Sequence, residues 1–559
     1  MITPMPKDLL SRAYATEASR ADSPWLTQPM GGGLVKTYTW QQGFDEARRI
    51  ATYLQSLGLP PGSHIALLSK NTAWWLLCDL AIWMAGHVSV PVYPTLAASS
   101  IKQILEHSGA KLIFIGKLDG WPAMKDGIPK DLPMVAMPLC PEELPTRWSD
   151  LVKAHAPLAT SPVRAADEIA TIVYTSGSTG TPKGVMITFG IMQSAQESAV
   201  GVFHARTDDR MISYLPLAHV FERAVVEGAT LYSGFQVFFA EALETFVADM
   251  NRARPTIFVS VPRLWLKFQA GVSVKMPPKK LSLLLKIPIL SGIVKKKILT
   301  GLGLDQCRVA ISGSAPIPPA TIAWYRNLGL ELLEGYGMSE NFCISHITKL
   351  GRVRPGYVGE PWPGVDVRLS PEGEVQMKCG ALMKGYYNAP ELTAQTFTDD
   401  GYLKTGDRGE IDELGRLKIT GRVKEIFKTS KGKSVAPAPI ENLLLANEFL
   451  ESGCVMGASQ SQPCAVVTIA DAYRARTSEA ELRKRISESL AKTLTDTNKL
   501  LDPHEALQVI VIARDPWAVE NGILTPTMKV KRGVVEERYA PSLDAWYRSK
   551  DKVIWEGGA

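Results

Sequence analysis

The sequence lacks the marks of a disulfide-stapled, zinc-binding or membrane-spanning protein. Its seven cysteines are scattered over 559 residues and never occur in CxxC spacing, which argues for reduced thiols rather than a disulfide framework or structural zinc site. No uninterrupted apolar run reaches spanning length, and the closest stretch, residues 72–90, contains Asp79 and His87 and predicts a buried helix. Since the first residues carry no apolar signal core, we expect a cytoplasmic protein.

The bulk composition is that of a globular protein with more than one domain. The chain is 45% hydrophobic and 21% charged, and its length exceeds what one ordinary core accommodates. The net charge of +6 is mildly basic. This charge suits anionic ligands or an acidic membrane surface and is far from the profile of a nucleic-acid binder.

In residues 171–188, TIVYTSGSTGTPKGVMIT, a β-branched run is followed by three glycines, five serines and threonines and one lysine within residues 175–184. The pattern predicts a strand, a turn over residues 175–184 and a second strand from Val185 to Thr188. Backbone N–H groups, hydroxyls and Lys183 would together suit a polyphosphate, although the spacing is not that of a P-loop. The alternative is a flexible, solvent-exposed turn, which the Pro182-Lys183-Gly184 sequence disfavours.

The order of the predicted elements indicates an α/β fold. Helices and strands alternate over the first 165 residues, and the segments 256–262 and 307–316 continue the pattern, as in a parallel or mixed sheet covered by helices. After residue 400 the chain predicts short hairpins, then helices at 439–447 and at 478–501, the latter with a Ser478/Glu481 capping box. We therefore predict a large N-terminal domain, 1–423, and a small mobile α+β lid domain, 424–559.

Seven blocks in order give the chain a family resemblance. They are YTSGSTGTPKGVM, YLPLAHVFER, ISGSAPIP, EGYGMSE, GYLKTGDRGEID, GRVKEIFKTSKGK and NGILTPTMKVKR, which span residues 174–532. In this order they resemble the characteristic blocks of the adenylate-forming superfamily, also called AMP-dependent synthetases and ligases. PLAHVFER, PTIFVSVPRLW and SVPVYPT resemble most the long-chain fatty acyl-CoA synthetases.

The resemblance implies an acid–thiol ligase that uses ATP, Mg²⁺ and coenzyme A. A medium- to long-chain carboxylic acid would become an acyl-adenylate with release of pyrophosphate, and the acyl group would then pass to the thiol of coenzyme A. Two alternatives stay open: a fatty acyl-AMP ligase that loads a carrier protein, and a non-catalytic acyl- or nucleotide-binding homologue. The first typically carries an insertion near the hinge that is not seen between Gly406 and Ser434, and the second would not need Lys529 or Glu340.

The resemblance also implies roles for single residues. Lys529 would bridge the attacking carboxylate and the α-phosphate, with Lys531 as the neighbour that sequence alone does not exclude. Glu340 would hold Mg²⁺ and act with Thr175 in catalysis. The ATP-binding set would comprise Thr175, Ser176, Gly177, Ser178, Thr179, Gly180, Lys183, Gly313, Ser314, Ala315, Glu334, Gly335, Tyr336, Gly337, Met338, Ser339, Asp407 and Arg422.

Further expectations are more specific. Tyr336 would stack on adenine, and Asp407 would accept hydrogen bonds from the ribose hydroxyls unless it merely forms an Asx turn. His219 and Val220 would line the acyl pocket, although a lone histidine is often structural. Lys424 would be the hinge or an ordinary solvated lysine. The lysines of Lys428–Ser434 would face coenzyme A or only keep a loop soluble.

Two further interpretations concern pairing and location. Glu222 and Arg223 are expected to form a structural pair. The segment 265–300 has many lysines, no acid and several aliphatic residues, so it is either a basic variable surface or a peripheral contact with anionic lipid at the inner face of the membrane. The sequence indicates no nucleic-acid partner and leaves the oligomeric state open.

Overall fold

The computed structural model describes residues 8–176, 182–519, 521–525 and 528–557. Helices and strands are numbered along the chain. The helices of the described ranges are α1 (Leu9–Ser19), α2 (Trp40–Ser56), α3 (Ala73–Met84), α4 (Ala98–Ser108), α5 (Trp121–Met124), α6 (Trp148–Ala154), α7 (Phe189–Phe203), α8 (Val220–Glu222), α9 (Ala229–Ser233), α10 (Phe246–Ala253), α11 (Pro262–Lys275), α12 (Pro278–Leu285), α13 (Pro288–Gly301), α14 (Pro319–Asn327), α15 (Pro390–Thr396), α16 (Pro437–Leu444), α17 (Asp471–Arg474), α18 (Ala480–Asn498), α19 (Arg532–Tyr539) and α20 (Leu543–Arg548).

The largest sheet has seven strands and carries the glycine- and hydroxyl-rich hairpin. Its strands are β3 (His64–Leu68), β4 (Val88–Val92), β5 (Leu112–Ile115), β6 (Met134–Ala136), β7 (Ile169–Ser176), β8 (Pro182–Thr188) and β18 (Gly385–Tyr386), in the order β18-β8-β7-β4-β3-β5-β6. The strands from β7 to β6 are parallel, and β8 and β18 add antiparallel pairs. The sheet is therefore mixed, as the fold class predicted.

Two further sheets complete the α/β layers. The first has five strands in chain order, β11 (Ile257–Ser260), β12 (Val309–Ser312), β13 (Leu332–Tyr336), β14 (His346–Ile347) and β15 (Glu360–Pro361), of which the first three are parallel. The second comprises β1 (Pro24–Gly31), β2 (Leu34–Thr39), β9 (Arg210–Ser213) and β10 (Gln236–Phe239) in the order β2-β1-β10-β9. Parallel neighbours send their loops out at one common edge.

The remaining sheets lie in the second half of the chain. An antiparallel sheet contains β16 (Asp366–Leu369), β17 (Glu374–Lys378), β19 (Leu403–Ile411) and β20 (Leu417–Arg422). After residue 424 come the short pair β21 (Phe427–Lys428) and β22 (Ser434–Val435), and a sheet of β23 (Leu450–Met456), β24 (Cys464–Ile469), β25 (Ile510–Ile512) and β26 (Val553–Trp555). The C-terminal sheet and α16 and α18 enclose an apolar core of their own.

The most apolar stretch of the sequence is a core helix, as predicted. Every residue of α3 is buried, and the helix packs with α2 in the largest apolar cluster. The helix begins at Thr72, whose hydroxyl accepts a hydrogen bond from the Trp75 N–H, and it ends before Gly86, which has a positive φ. Over the described ranges, no helix has both the length and the apolar character needed to cross a bilayer.

Several local predictions were wrong in detail. The strands of the hairpin extend to Ser176 and resume at Pro182, so the turn is shorter than residues 175–184, because Tyr174, Thr175 and Ser176 pair with Gly184, Lys183 and Pro182. The Ser478/Glu481 capping box does not form. α18 begins after Glu479 without a side-chain cap, because a capping box needs its serine at the N-cap position.

The expected pair of Glu222 and Arg223 was also wrong. Neighbouring residues of a helix point in different directions. The Glu222 carboxylate accepts hydrogen bonds from Ser213 Oγ (2.8 Å) and the Tyr214 N–H (3.0 Å). Arg223 instead lies in a π-helical turn, Arg223–Gly228, and its guanidinium pairs with Asp79 of α3 and with Glu227 (3.0 Å).

This three-residue ion cluster is fully buried. The side chains of Arg223 and Asp79 have no exposed surface, and the guanidinium also donates to Thr171 Oγ1 (2.9 Å). Burial raises the pKa of both Asp79 and Glu227, while the Arg223 guanidinium opposes the rise. The cluster joins α3, β7 and the π-helical turn that follows His219 and Val220.

We expect Arg223→Ala to destabilise the N-terminal part of the chain by about 3–5 kcal/mol, because it leaves two buried carboxyl groups without their cation. Urea unfolding followed by tryptophan fluorescence would measure the loss. Arg326→Ala is the matched control, since Arg326 pairs with Glu331 at the surface (3.5 Å) and its loss should cost under about 1 kcal/mol. Equal losses for the two variants would contradict the role of the cluster.

Candidate active site

Two loops of the predicted site leave neighbouring parallel strands at the same edge. Ser312, the last residue of β12, pairs with Glu334 of β13, so Gly313, Ser314 and Ala315 emerge beside the EGYGMSE segment. Both blocks were singled out from sequence as nucleotide contacts. Strand order thus brings together two motifs that lie about twenty residues apart in the chain.

Backbone geometry explains the glycines of these loops. A Cβ atom at Gly337 would lie 2.6 Å from the backbone of Cys343, so only glycine fits where the two segments meet. A Cβ at Gly313 would lie 3.0 Å from the Phe221 ring. The loop also contains Ser314 in the left-handed region, at φ 68°. The loops are therefore shaped by close approach rather than by flexibility.

The Asp407 carboxylate is held between two side chains at the bottom of this site. The Tyr336 hydroxyl donates to Oδ2 (2.6 Å) and Arg422 Nε donates to Oδ1 (2.7 Å). Asp407 and Arg422 face each other across β19 and β20, while Tyr336 ends β13. Asp407 raises the pKa of Arg422, and burial followed by the charge of Asp407 raises the pKa of Tyr336. All three were predicted from different motifs.

Glu340 meets the glycine- and hydroxyl-rich hairpin through a residue that the motifs did not single out. The Tyr386 hydroxyl donates to Glu340 Oε1 (2.7 Å), and Tyr386 itself pairs with Val185 of β8. Lys183 Nζ lies 5.7 Å from the centre of the Tyr386 ring. This tyrosine therefore connects the predicted metal-binding carboxylate to the predicted phosphate-binding lysine.

The predicted acyl-pocket residues lie at the start of α8. Val220 is fully buried, and His219 Nδ1 accepts a hydrogen bond from the Phe221 N–H (3.1 Å). Burial, and then the charge of Lys529, lowers the pKa of His219 to about 3. Because Nδ1 is an acceptor, the neutral ring carries its proton on Nε2. The Tyr93 ring contacts the histidine edge-on, with centroids 6.5 Å apart.

Lys529 comes from the C-terminal end of the chain but lies in the same cleft. The charges of Arg422, Asp407 and Glu340 all act on its ammonium group, and all three belong to the part of the chain before residue 424. Part of the Lys529 side chain is exposed to solvent. Burial of its ammonium group, followed by the repulsion of Arg422, lowers the pKa of Lys529. The tertiary structure thus gathers Lys529, Asp407, Arg422 and Glu340.

Glu334 differs from Asp407 because no cation of the described residues forms an ion pair with it. It is 4% exposed, and burial raises the pKa of its carboxyl to about 8. Its backbone N–H donates to Thr348 Oγ1 (2.7 Å), which anchors β13. Burial therefore favours the protonated form of the Glu334 carboxyl.

Some predicted residues can be placed only in part. Gly177, Ser178, Thr179 and Gly180 lie outside the described residues, and the backbone of Ser176 ends β7. Thr175 is described and pairs with Lys183 across the hairpin. Gly335 precedes Tyr336 on β13. Met338 and Ser339 lie between Tyr336 and Glu340, and the Met338 N–H donates to Asn341 Oδ1 (2.9 Å).

Three residues of the site were missed by sequence reasoning. Tyr386 lies in the segment GYYNAP. Its local sequence signal for a functional role is the pair of adjacent tyrosines after a glycine. Tyr93 lies within the SVPVYPT segment, which contributes only to the family resemblance. Cys343 lies close enough to Lys529 and Glu340 to interact with their charges, and burial raises the pKa of its thiol to about 12.

Curated relatives match along nearly the whole chain. The long-chain-fatty-acid–CoA ligase FadD15 of Mycobacterium bovis is 29% identical, over 96% of this chain and 97% of its own. The peroxisomal long chain acyl-CoA synthetase 6 of Arabidopsis thaliana is 30% identical, over 92% of this chain and 82% of its own.

Solved structures share the fold. The adenylation domain of the carboxylic acid reductase of Segniliparus rugosus, in complex with AMP and a co-purified carboxylic acid, superposes with a TM-score of 0.77 at 23% identity, covering 97% of this chain and 94% of its own. The family model for AMP-binding enzymes matches residues 15–387, and the model for the AMP-binding enzyme C-terminal domain matches residues 424–551. The chain therefore belongs to the AMP-binding enzyme family.

Proposed function

We propose that the protein is an acyl-CoA synthetase that activates a medium- to long-chain fatty acid with ATP and transfers the acyl group to coenzyme A. The observation that carries the proposal is the position of Lys529, whose ammonium interacts with the charges of Asp407, Arg422 and Glu340. Family membership supports the reaction class. The names of the curated relatives, a long-chain-fatty-acid–CoA ligase and a long chain acyl-CoA synthetase, support the substrate class.

In the first step a carboxylate oxygen attacks the α-phosphorus of ATP. A phosphorus–oxygen bond to the acid forms, the bond to the β-phosphate bridge breaks, and pyrophosphate leaves with the electron pair. Both reactants are anions, so the Lys529 cation lowers the cost of bringing them together. Asp407 would accept hydrogen bonds from the ribose hydroxyls, and Lys183 with the hairpin would hold the phosphates.

The donor set around Glu340 suits Mg²⁺. Tyr386 occupies one carboxylate oxygen, and the described residues form no cluster of three or more His, Cys, Asp or Glu side chains. A lone carboxylate is the protein ligand that Mg²⁺ uses when substrate phosphates and waters fill its other positions. Glu340 would hold the ion, which when bound would neutralise phosphate charge.

In the second step the thiol sulfur of coenzyme A attacks the acyl carbonyl. The carbon–oxygen bond to the phosphate breaks, AMP leaves, and the thiol proton passes to solvent. We place the domain boundary between 423 and 424, with Lys424 as the hinge that lets the C-terminal domain rotate between the steps. The exposed loop between β21 and β22 carries Lys431 and Lys433, which suit the phosphates of coenzyme A.

The structure also offers a surface from which a fatty acid could be delivered. From residue 250 to residue 304 the chain has no acid, and α12 and α13 expose aliphatic side chains, with Ile289 81% exposed and Leu283 64% exposed. Lysines 295, 296 and 297 lie on the same helix as Ile289. We propose that this face rests on an anionic membrane surface, because exposed aliphatic side chains flanked by lysines suit the lipid interface.

The test of the function is a product assay by mass spectrometry with ATP, Mg²⁺ and acids from acetate to palmitate and benzoate, with and without coenzyme A. We expect acyl-CoA, formed best with the longer fatty acids because each buried methylene contributes about 0.8 kcal/mol. Adenylate without thioester would favour a carrier-loading ligase. No product from any acid would favour a binding protein.

Lys529→Ala should abolish adenylate formation, by about 100-fold or more, and leave thioester formation from supplied dodecanoyl-AMP largely intact, because the cation acts where two anions meet. Rapid-quench assays of each half-reaction would measure both rates. Lys531→Ala is the matched control two residues away and should retain adenylate formation. Equal loss of both half-reactions in Lys529→Ala would contradict the assigned role.

Tyr386→Phe should raise the Mg²⁺ concentration needed for half-maximal adenylation by about tenfold, since the Glu340 carboxylate loses the hydroxyl that orients it. A magnesium titration of pyrophosphate release would show the shift. Tyr387→Phe controls for the loss of a neighbouring hydroxyl, as Tyr387 packs against His64 and His107 instead. An unchanged magnesium requirement in Tyr386→Phe would refute the orienting role.

Replacing lysines 295, 296 and 297 by glutamine should weaken binding to vesicles that contain phosphatidylserine by about tenfold or more. Cosedimentation would measure binding, with phosphatidylcholine vesicles as the uncharged comparison. The control replaces lysines 484, 492 and 499 of the α18 region with glutamine, which removes the same charge elsewhere. Equal effects of the two triple variants would mean that only net charge matters.

A further inference from the structure

An ion pair connects α11 of the N-terminal part to β23 of the C-terminal part. The Arg263 guanidinium contacts the Glu451 carboxylate, and the Arg263 side chain is 36% exposed while that of Glu451 is 12% exposed. Glu451 is already held within its own domain, since Arg474 Nη2 lies 2.6 Å from Oε2 and also donates to the Ile469 carbonyl (2.8 Å). Arg263 therefore docks on a preformed acceptor.

The same strand is tied to the segment that carries Lys529. Arg532 donates to the carbonyl of Val455 (2.6 Å), which lies four residues after Glu451 on β23. Arg532 also pairs with Glu441 (2.7 Å) of α16. A short path of rigid contacts thus runs from Arg263 through β23 and Arg532 to Lys529, three residues earlier in the chain.

We propose that Arg263 is a positioning residue for adenylate formation: its ion pair with Glu451 holds the C-terminal domain in the orientation that places Lys529 beside Asp407, Arg422 and Glu340. The proposal rests on the proposed function, in which Lys529 serves the first half-reaction. Rotation of the C-terminal domain for the second half-reaction has to break the pair. A partly exposed pair suits this task, because water replaces each partner at a small cost.

The test separates the two half-reactions in the full-length protein. Adenylate formation from dodecanoic acid and ATP is measured under single-turnover conditions, and transfer is measured from dodecanoyl-AMP to coenzyme A. We expect Arg263→Gln to slow adenylate formation about two- to fivefold, the effect of losing a partly exposed ion pair, and to leave transfer unchanged or faster. Arg263→Lys should recover most of the lost rate because it retains the charge.

The control variant is Lys267→Gln, which removes an exposed charge one turn further along α11 and should change neither rate. Glu451→Gln should resemble Arg263→Gln, and the double variant should be no slower than the slower single variant, since the two residues share one interaction. A thermal melt like that of the wild type shows that each variant folds.

Besides an unchanged adenylation rate in Arg263→Gln, three results would overturn the proposal. They are equal slowing of both half-reactions by Arg263→Gln, the same effect from Lys267→Gln, and additive losses in the double variant. The failure of the proposed function looks different, because then the wild type makes no adenylate or Lys529→Ala retains it. If Lys529→Ala loses adenylation and Arg263→Gln does not slow it, the ion-pair proposal alone is wrong.

Discussion

The hydrogen bonds to the Asp407 carboxylate are the constraint on which the rest of the site depends. A buried carboxylate needs partners for both oxygens, and here the partners come from β13 and β20, which belong to two different sheets. Through these hydrogen bonds Asp407 joins the end of β13 to the β19–β20 hairpin. The charges of Asp407 and Arg422 also act on the ammonium group of Lys529. Removing the carboxylate would leave Arg422 and Lys529 to repel each other across the cleft.

The charges of the cleft are arranged for a ligand that is itself strongly anionic. Lys183 and Arg422 come from β8 and β20, and Lys529 comes from the C-terminal domain. In the proposed function Glu340 would bind a cation and Asp407 would accept hydrogen bonds from hydroxyl groups. Because the charge of Arg422 already lowers the pKa of Lys529, a bound polyphosphate would relieve a repulsion that exists in the protein alone. His219 stays neutral beside them, so it adds shape and a donor rather than charge.

The residues around the proposed acyl pocket are held by a different interaction. The π-helical turn after α8 is anchored by Arg223 to α3, and Gln196 donates its side-chain amide to the Ala224 carbonyl (2.9 Å), one of the carbonyls of the turn. This anchoring holds Phe221 beside the loop that contains Gly313. The buried ion cluster thus lies next to the proposed pocket residues, and the partly exposed pair of Arg263 and Glu451 joins the two parts that we propose to move.

The sequence by itself determined the α/β class, the core helix α3, the glycine- and hydroxyl-rich hairpin and the family, because these depend on local patterns and on the order of motifs. It also identified Asp407, Arg422, Glu340, Tyr336 and Lys529 as one set, though only through resemblance. Only the tertiary structure decided which of them touch, that Tyr386 links Glu340 to the hairpin, and that Arg223 pairs with Asp79 rather than Glu222. Those contacts join residues separated by tens or hundreds of positions, and no local pattern encodes a partner at such distances.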